Sequence, residues 1–504
     1  MKKGMKMVLL AVMTIVITAA LFGCGGGKIS ESSTVVVGIA DDLDSLDLHN
    51  AEKAGTREVL FNIFEGLVKC NSSGELEPAV ASSYTISDDA KVYTFKLRDG
   101  ITFHDGSLVT VDDIKYSIER YAGISLQNGN GTSAFSIMQN VAIIDDKTVE
   151  ITLSEGNSEF LAELTCAIMP KSNDANQATN PIGTGPFKFV SYTPGESLKV
   201  EKYDGYWKKG YPKVDQVEFK IVSDPDVAMT ELQAGTLDIY QYLAVDQAET
   251  LKDNFNILEG GVNYVQGLFL NNDYGPFSDV RVRQALCYAI DRNYINEQVF
   301  SGKAHVLGTH MINTYTKYYN ADTETVYEKN IAKAKELLAQ AGYPNGFEFT
   351  ITVPNNFEPH KQAAEIIVQQ LAEIGITAKI ELVEFGTTWL TEVYGNRNYQ
   401  ATVVAVDSKT VAPHGWFEKN VSTGANNFTN YSNPEFDSLY NQAYTTTDEA
   451  KKVELYKKMQ MLLATDAASV YIENPSNLVA INKKLAGYEF YPTAAQDMST
   501  VYFK

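Results

Sequence analysis

Residues Lys91–Arg120 read KVYTFKLRDGITFHDGSLVTVDDIKYSIER. Val92, Tyr93, Phe95 and Leu97, then Ile101 and Phe103, set apolar against polar residues with a period near two, the pattern of half-buried strands. Asp99-Gly100 lies between the two runs and is a strong hairpin signal, so a hairpin turning there is expected. The pattern then changes. Thr110 is placed to cap a helix, and Asp112 and Asp113 fall in its first turn, where carboxylates meet the positive end of the helix dipole. The segment therefore predicts two strands feeding a helix.

The same mixture continues outward. STVVVGIA, from Ser33, is a β-branched run that predicts a buried strand. PIGTGPFKFVSYTPGESLKVEKY, from Pro181, is punctuated by glycine and proline and then becomes strand-like. SDVRVRQALCYAIDR places Val282, Ala285, Leu286, Ala289 and Ile290 on one face of a helix. NIAKAKELLAQAGYPNG predicts a helix stopped by Gly342 and Pro344. FEFTITV, HKQAAEIIVQQLAEIG and ITAKIELVEF follow as strand, helix and strand, a βαβ unit with a parallel pair. No solenoid repeat and no low-complexity linker interrupts this α/β pattern, so short crossings must join the domains.

The beginning of the chain sets the compartment. Lys2, Lys3 and Lys6 precede an apolar run from Met7 to Phe22, the pattern of an export signal. The run is shorter than the roughly 20 residues of a membrane span. Leu21-Phe22-Gly23-Cys24 resembles a bacterial lipobox, with Phe22 larger than that pattern prefers. On this reading residues 1–23 are a signal peptide, Cys24 is lipidated, and residues 24–33, with Gly25, Gly26 and Gly27, form a flexible tether. A short membrane anchor with an incidental cysteine is the alternative. Removing the leader leaves 481 of the 504 residues, enough for two or three domains. It also removes three lysines and no acid, taking the net charge from −21 to −24. Such a surface repels nucleic acid and anionic headgroups.

The remaining cysteines, Cys70, Cys166 and Cys287, allow at most one disulfide, and none lies in a C-x-x-C motif; buried inert thiols are expected. The sequence carries no G-x-S-x-G elbow, no Walker loop and no G-x-G-x-x-G after a strand. His305 and His310 are five apart, off the spacing of a helical zinc pair, and His104 beside Asp105 is expected to serve a turn. No metal or cofactor is expected and no reaction is specified.

Four stretches together resemble the extracellular solute-binding proteins of family 5, the oligopeptide-binding lipoproteins of ABC importers. They are Phe64 to Arg120, with Glu65-Gly66-Leu67, YTFKLRDG and FHDG; GTGPFKFVSY from Gly183; VRQALCYAIDR from Val282; and NFTNYSNPEFDSLYNQA from Asn427. Gly100, Gly106, Gly183 and Gly185 are expected at tight turns, and Arg281, Arg283 and Asp291 to solvate or staple one helix. The resemblance implies a two-lobed periplasmic-binding-protein-like α/β fold with an extra domain inserted in the first lobe. The implied divisions are 34–60, 183–262 and 475–504 for the first lobe, 61–182 for the inserted domain, and 263–474 for the second lobe. Hinge crossings would lie near Val262–Gln266 and Tyr471–Asn477, and ligand binding would select a closed state.

The function implied is capture of a peptide or similar small solute for an ABC permease and its ATPase. The carrier would be an exported monomer, held to the membrane by lipid alone and facing the extracellular or periplasmic side. Metal chelates, opines and sugars are alternative cargoes, a receptor or adhesin without transport is an alternative role, and an exported peptidase is disfavoured for want of a nucleophile–base pair. In this family aromatics of the second lobe line side-chain pockets, which makes Trp389, Trp416 and Tyr471 candidates, with Glu473 beside them. In Tyr399–Phe417, YQATVVAVDSKTVAPHGWF, the family's ammonium-gripping aspartate aligns without gaps on Lys409, while Asp407 lies two residues earlier. In an extended segment both side chains share one face. Either Asp407 takes the anchor role or Lys409 meets a ligand carboxylate, with Asp407 as its partner; a surface ion pair is the bland alternative.

Overall fold

The computed structural model describes residues 33–128, 134–355, 357–408 and 411–504. The leader, Cys24 and Lys409 lie outside the described residues. The described chain is a two-lobed α/β structure of the periplasmic-binding-protein type with an extra domain inserted in the first lobe.

The first lobe is built on a seven-stranded sheet in the order Phe255–Gly261, Ser476–Asn482, Ile239–Tyr240, Thr34–Ile39, Gln216–Ile221, Ser197–Lys202, Phe187–Thr193. Its strands come from the start, the middle and the end of the chain. Thr34–Ile39 pairs in parallel with Gln216–Ile221 on one side and Ile239–Tyr240 on the other. Being central, it is covered on both faces: Val35 and Val37 enter one core and Val36 packs against another. That is why its sequence is a β-branched run without alternation.

The segment between the first two parts of this sheet forms a four-stranded antiparallel sheet, Ala81–Ile86, Val92–Leu97, Thr148–Leu153, Met138–Asp145. Here the structure corrects the hairpin. Val92–Leu97 pairs with Ala81–Ile86 on one edge and Thr148–Leu153 on the other. Both of its hydrogen-bonding edges are thus occupied, and the chain after Asp99-Gly100 can form only the single bridge Thr102–Leu108. Ile101 and Phe103 are buried, but outside any strand ladder. The helix Val111–Asn128 forms as expected. Thr110 Oγ1 accepts from the Asp113 amide at 3.2 Å, while Asp113 Oδ2 accepts from the Thr110 amide at 3.1 Å, a reciprocal cap.

The second lobe carries a six-stranded sheet in the order His305–Val306, Val470–Asn474, Val265–Leu270, Ala401–Val406, Glu348–Pro354, Thr377–Val383. Glu348–Pro354 and Thr377–Val383 are the parallel pair of the βαβ unit, with Glu358–Ala372 as the crossover helix. On one face Leu268, Leu270 and Val403 meet Val282, Ala285, Leu286 and Ala289 of the helix Val280–Ala289. On the other, Val265, Phe269 and Val404 meet an aromatic-rich layer. Each fully buried Val or Leu contributes about 1.5–3 kcal/mol.

Two further expectations change. Gly183 and Gly185 do not have the positive φ of tight turns; a Cβ there would lie 2.2 Å from the Ile63 carbonyl oxygen and 2.6 Å from that of Asn62. They are glycine because two backbones pass in contact. Arg283 is buried and donates to the carbonyls of Phe277, Ala467 and Asp466, so it ties three segments together instead of solvating a helix. Arg281 pairs with Asp279, and Asp291 caps the next helix through the Tyr294 amide. Cys70, Cys166 and Cys287 are buried free thiols. Burial pushes each thiol up, to about 12 for Cys70 and Cys287, so they are unreactive. Among the described residues no helix is long and apolar enough to cross a membrane.

Candidate functional site

The chain passes between the two large sheets twice, from Gly261 to Val265 and from Asn474 through Pro475 to Ser476. These crossings are laced together. The Val262 amide donates to the Pro475 carbonyl at 3.3 Å, and Asn474 Nδ2 donates to the carbonyls of Val262 and Tyr264 at 2.7 and 2.6 Å. With its nitrogen held by two carbonyls, Asn474 must turn Oδ1 elsewhere. Asn263 behaves alike: Nδ2 donates to the Ser408 carbonyl at 2.7 Å. Both Oδ1 atoms are buried and have no hydrogen-bond partner among the described residues.

They belong to a larger group. Thr309 Oγ1, His310 Nε2, Asn313 Oδ1, Thr314 Oγ1 and both carboxyl oxygens of Glu473 are buried and likewise unpartnered. The buried Tyr315 hydroxyl and Trp416 Nε1 interact only loosely with each other, and the Tyr471 hydroxyl only loosely with Asn420. A Cβ at Gly261 would lie 2.6 Å from Asn474 Oδ1 and 3.0 Å from Thr314 Cγ2, which sets Thr314 beside Asn474. His310 stacks on Tyr471 with centroids 5.5 Å apart, and Trp416 meets His310 edge-on at 6.0 Å. Buried polar groups in proteins are nearly all satisfied. Exceptions such as His414 Nδ1, Asn272 Oδ1 and Thr500 Oγ1 lie elsewhere, but the largest group falls at one corner of the second lobe and makes it the candidate site.

Electrostatics sharpen this. Glu473 is 0% exposed, opposite Gln266 in the sheet register, and burial raises its carboxyl to about 8. It is a neutral acid at pH 7, able to donate as well as accept. Burial lowers His310 to about 3, so its imidazole is neutral. Its Nδ1 lies 2.9 Å from Asn420 Oδ1, which assigns the proton to Nδ1 and leaves Nε2 as an acceptor.

The first lobe contributes a facing set. Tyr242 has φ +59°, a left-handed conformation that costs a tyrosine about 1–3 kcal/mol and tends to occur at functional clamps. It is 56% exposed, yet surrounding protein raises its phenol well above the usual value. Its hydroxyl donates to Glu58 at 3.3 Å, and burial lifts the Glu58 carboxyl to about 7. The Gln496 backbone amide donates to the Glu58 carbonyl at 3.2 Å, and the buried Gln496 side chain interacts with Tyr488. Tyr264, on the crossing, is raised first by burial and then by Asp407 and Glu58, which places these acids from the two lobes within electrostatic reach of one ring. Depressions of about 620 Å³ beside Pro434–Thr445 and about 500 Å³ beside Lys202–Lys213 are lined by none of these residues.

The sequence candidates separate. Asp407 follows the strand Ala401–Val406, half-buried, its carbonyl accepting from Lys419 Nζ at 2.7 Å. Trp416, Tyr471 and Glu473 all join this buried polar group. Trp389 does not: Nε1 donates to Thr402 Oγ1 at 3.0 Å and its ring stacks on Phe385. Asn263, His310, Asn313, Thr314, Asn474, Glu58, Tyr242 and Gln496 were missed. Asn263 and Asn474 lie within the expected hinge crossings, a signal that could have found them; the others carry none.

The model of the bacterial extracellular solute-binding proteins, family 5 Middle, matches residues 75–428. The chain is 29% identical over 484 residues to the glutathione-binding protein GsiB of Pectobacterium atrosepticum, covering 91% of each. Among solved structures it is similar to the ABC transporter substrate-binding protein CtaP of Listeria monocytogenes, with TM-score 0.83, 26% identity, and 94% and 99% of the two chains covered. It is also similar to DppA of Helicobacter pylori in complex with the peptide STSA, with TM-score 0.73, 26% identity, and 93% and 98% covered. A chain matched over most of its length by this family's model, with the family's lobes and a polar surface left for a solute, belongs to the bacterial extracellular solute-binding proteins of family 5.

Proposed function

We propose that this chain captures a short peptide or peptide-like solute between its lobes and presents it to an ABC permease and ATPase. The observation that carries the reading is the set of buried, unpartnered polar atoms at the hinge corner of the second lobe. Asn263, Asn474 and Glu473 supply oxygens for a donor-rich backbone or ammonium group, Trp416, Tyr471 and His310 supply a flat apolar wall, and Asp407 supplies negative charge at the rim. Trp389 is assigned to packing. A peptide has alternating donors, acceptors and apolar side chains, which suits such a surface; the GsiB likeness adds glutathione as the first compound to try.

The lobes divide at 34–60, 183–262 and 475–504, at 61–182 for the inserted domain, and at 263–474. The two crossings at Val262–Tyr264 and Pro475 serve as hinges. The chain acts as a carrier and not as an enzyme, works as a monomer, and is exported and held by lipid on Cys24. Calorimetric titration with glutathione, di- and tetrapeptides, together with thermal melting, tests the cargo. A bound solute raises Tm because it binds only the folded, closed protein; a screen in which sugars or metal chelates bind and every peptide fails would replace the cargo class. Intact mass of membrane-extracted protein tests the anchor.

A further inference from the structure

The inserted domain is also joined to the second lobe, far from the hinges in sequence. The segment after the strand Thr148–Leu153 carries Ser158 and Glu159. The Ser158 amide donates to the Tyr444 carbonyl at 2.7 Å and its hydroxyl to the Ala443 carbonyl at 3.2 Å, both at the end of the helix Pro434–Thr445. Glu159 is buried. One of its oxygens meets Lys452 Nζ and the Tyr456 hydroxyl at 3.1 Å each, both on the helix Glu449–Thr465; the other lies 3.9 Å from His414 Nδ1. Lys452, Tyr456 and His414 are themselves buried. Beside them Cys70 and Ala162 of the inserted domain pack on Val411 and Ala412 of the second lobe.

This contact is chemically unlike the hinge corner: its charges are opposed, close and dry. A lone buried charge is expensive, so the two sides must separate together with rehydration of both ions or not separate at all. We propose that Glu159, Lys452, Tyr456 and His414 form a latch between the inserted domain and the second lobe, which must part before the lobes can swing. The inference rests on the two-lobed carrier reading. It gives the inserted domain a task, control of the opening equilibrium, that needs no contact with the solute. Lys452 and Tyr456 on one helix and His414 on another meet Glu159 directly; the phenols of Tyr93, Tyr315, Tyr318, Tyr440 and Tyr444 also lie within its electrostatic reach, and Glu163 and Glu418 face His414 in turn. The Glu159 carboxyl would be raised by burial, but Lys452 and His414 hold it at about 2, so it stays a carboxylate.

The test uses spin labels on the full chain at the exposed positions Glu155 and Thr447, on either side of the contact, with distance distributions recorded without solute. Glu159→Gln/Lys452→Met removes both charges and strands neither; Tyr456→Phe removes one hydroxyl. The latch requires a longer-distance population that grows at least threefold in the double variant, with a smaller growth in Tyr456→Phe. Distances identical to wild type in both variants overturn it, whether Tm falls or holds, since a merely structural contact would lower Tm without moving the labels. Solute binding is read separately by calorimetry, so loss of the carrier reading and loss of the latch are told apart.

Discussion

Glu159 and Glu473 are both buried glutamates of one chain, and they behave oppositely. Glu159 touches an ammonium and a phenol and faces an imidazole, and is held down at about 2. Glu473 has no partner among the described residues and is raised to about 8. The same side chain is thus an anion in one place and a neutral acid in the other. Burial is common to both; the partner decides. The first glutamate is complete within the protein and serves cohesion. The second is incomplete within the protein, which is what the proposed binding role requires.

The strongest way to break the comparison is Lys452→Met. It leaves Glu159 buried and uncompensated, and unfolding by denaturant should show a loss of about 3–5 kcal/mol. A loss below about 1 kcal/mol would mean that water reaches the contact and that the two glutamates are not opposites. Glu473→Gln should do the reverse, leaving stability within about 1 kcal/mol of wild type or better, because a neutral amide replaces a neutral acid. It should weaken solute binding at least tenfold, about 1.4 kcal/mol, in calorimetry; Asp407→Asn should cost a similar amount. Unchanged affinity in both variants would move the site away from this corner.

The pH dependence separates the two glutamates further. Glu473 has a folded pKa of about 8 against an ordinary 4.5, so the folded state binds the extra proton and stability falls as pH rises from about 4.5 to 8. Glu473→Gln should flatten that slope in melts across this window. Glu159 has a depressed pKa, so its contribution is present above about 4.5 and is lost as pH falls toward 2. His414 is raised, burial being outweighed by Glu159; its contribution is full below its ordinary 6.5 and is lost as pH rises through the raised value. Solutions near pH 5–6 should therefore hold the latch most firmly. Tyr456→Phe should cost less than Lys452→Met, about 1.5–3 kcal/mol in denaturant unfolding for the loss of one hydrogen bond to a charged group.

The elements that local pattern describes were legible. The face Val282, Ala285, Leu286, Ala289 and Ile290 is buried as its spacing requires, and the Thr110 cap and the βαβ unit formed where they were expected. The family resemblance, carried by four motifs in order, led to the fold. The hairpin at Asp99-Gly100 failed because a turn signal says nothing about whether a strand's edges are already taken by residues 50 positions further on. Gly183 and Gly185 were marked by sequence but misread, since close approach to the Asn62 and Ile63 carbonyls is visible only when two distant segments are placed together.

The site divides in the same way. Asp407, Trp416, Tyr471 and Glu473 were named from the family resemblance, and the structure sets the last three in the buried polar cluster of the candidate site. Their chemistry was not. Nothing in the letters distinguishes Trp389, whose indole N–H is taken by Thr402, from Trp416, whose N–H makes no well-formed hydrogen bond and only faces the Tyr315 hydroxyl. Nor does anything distinguish a glutamate beside a lysine from one without. Sequence alone determined the periodicities, caps and turns that choose helices and strands, because those depend on neighbours three or four residues away. Tertiary structure alone decided which polar atoms were satisfied and which carboxyls were charged, because partners such as Glu159 and Lys452 lie almost three hundred residues apart and their interaction exists only once folding has brought them together and excluded water.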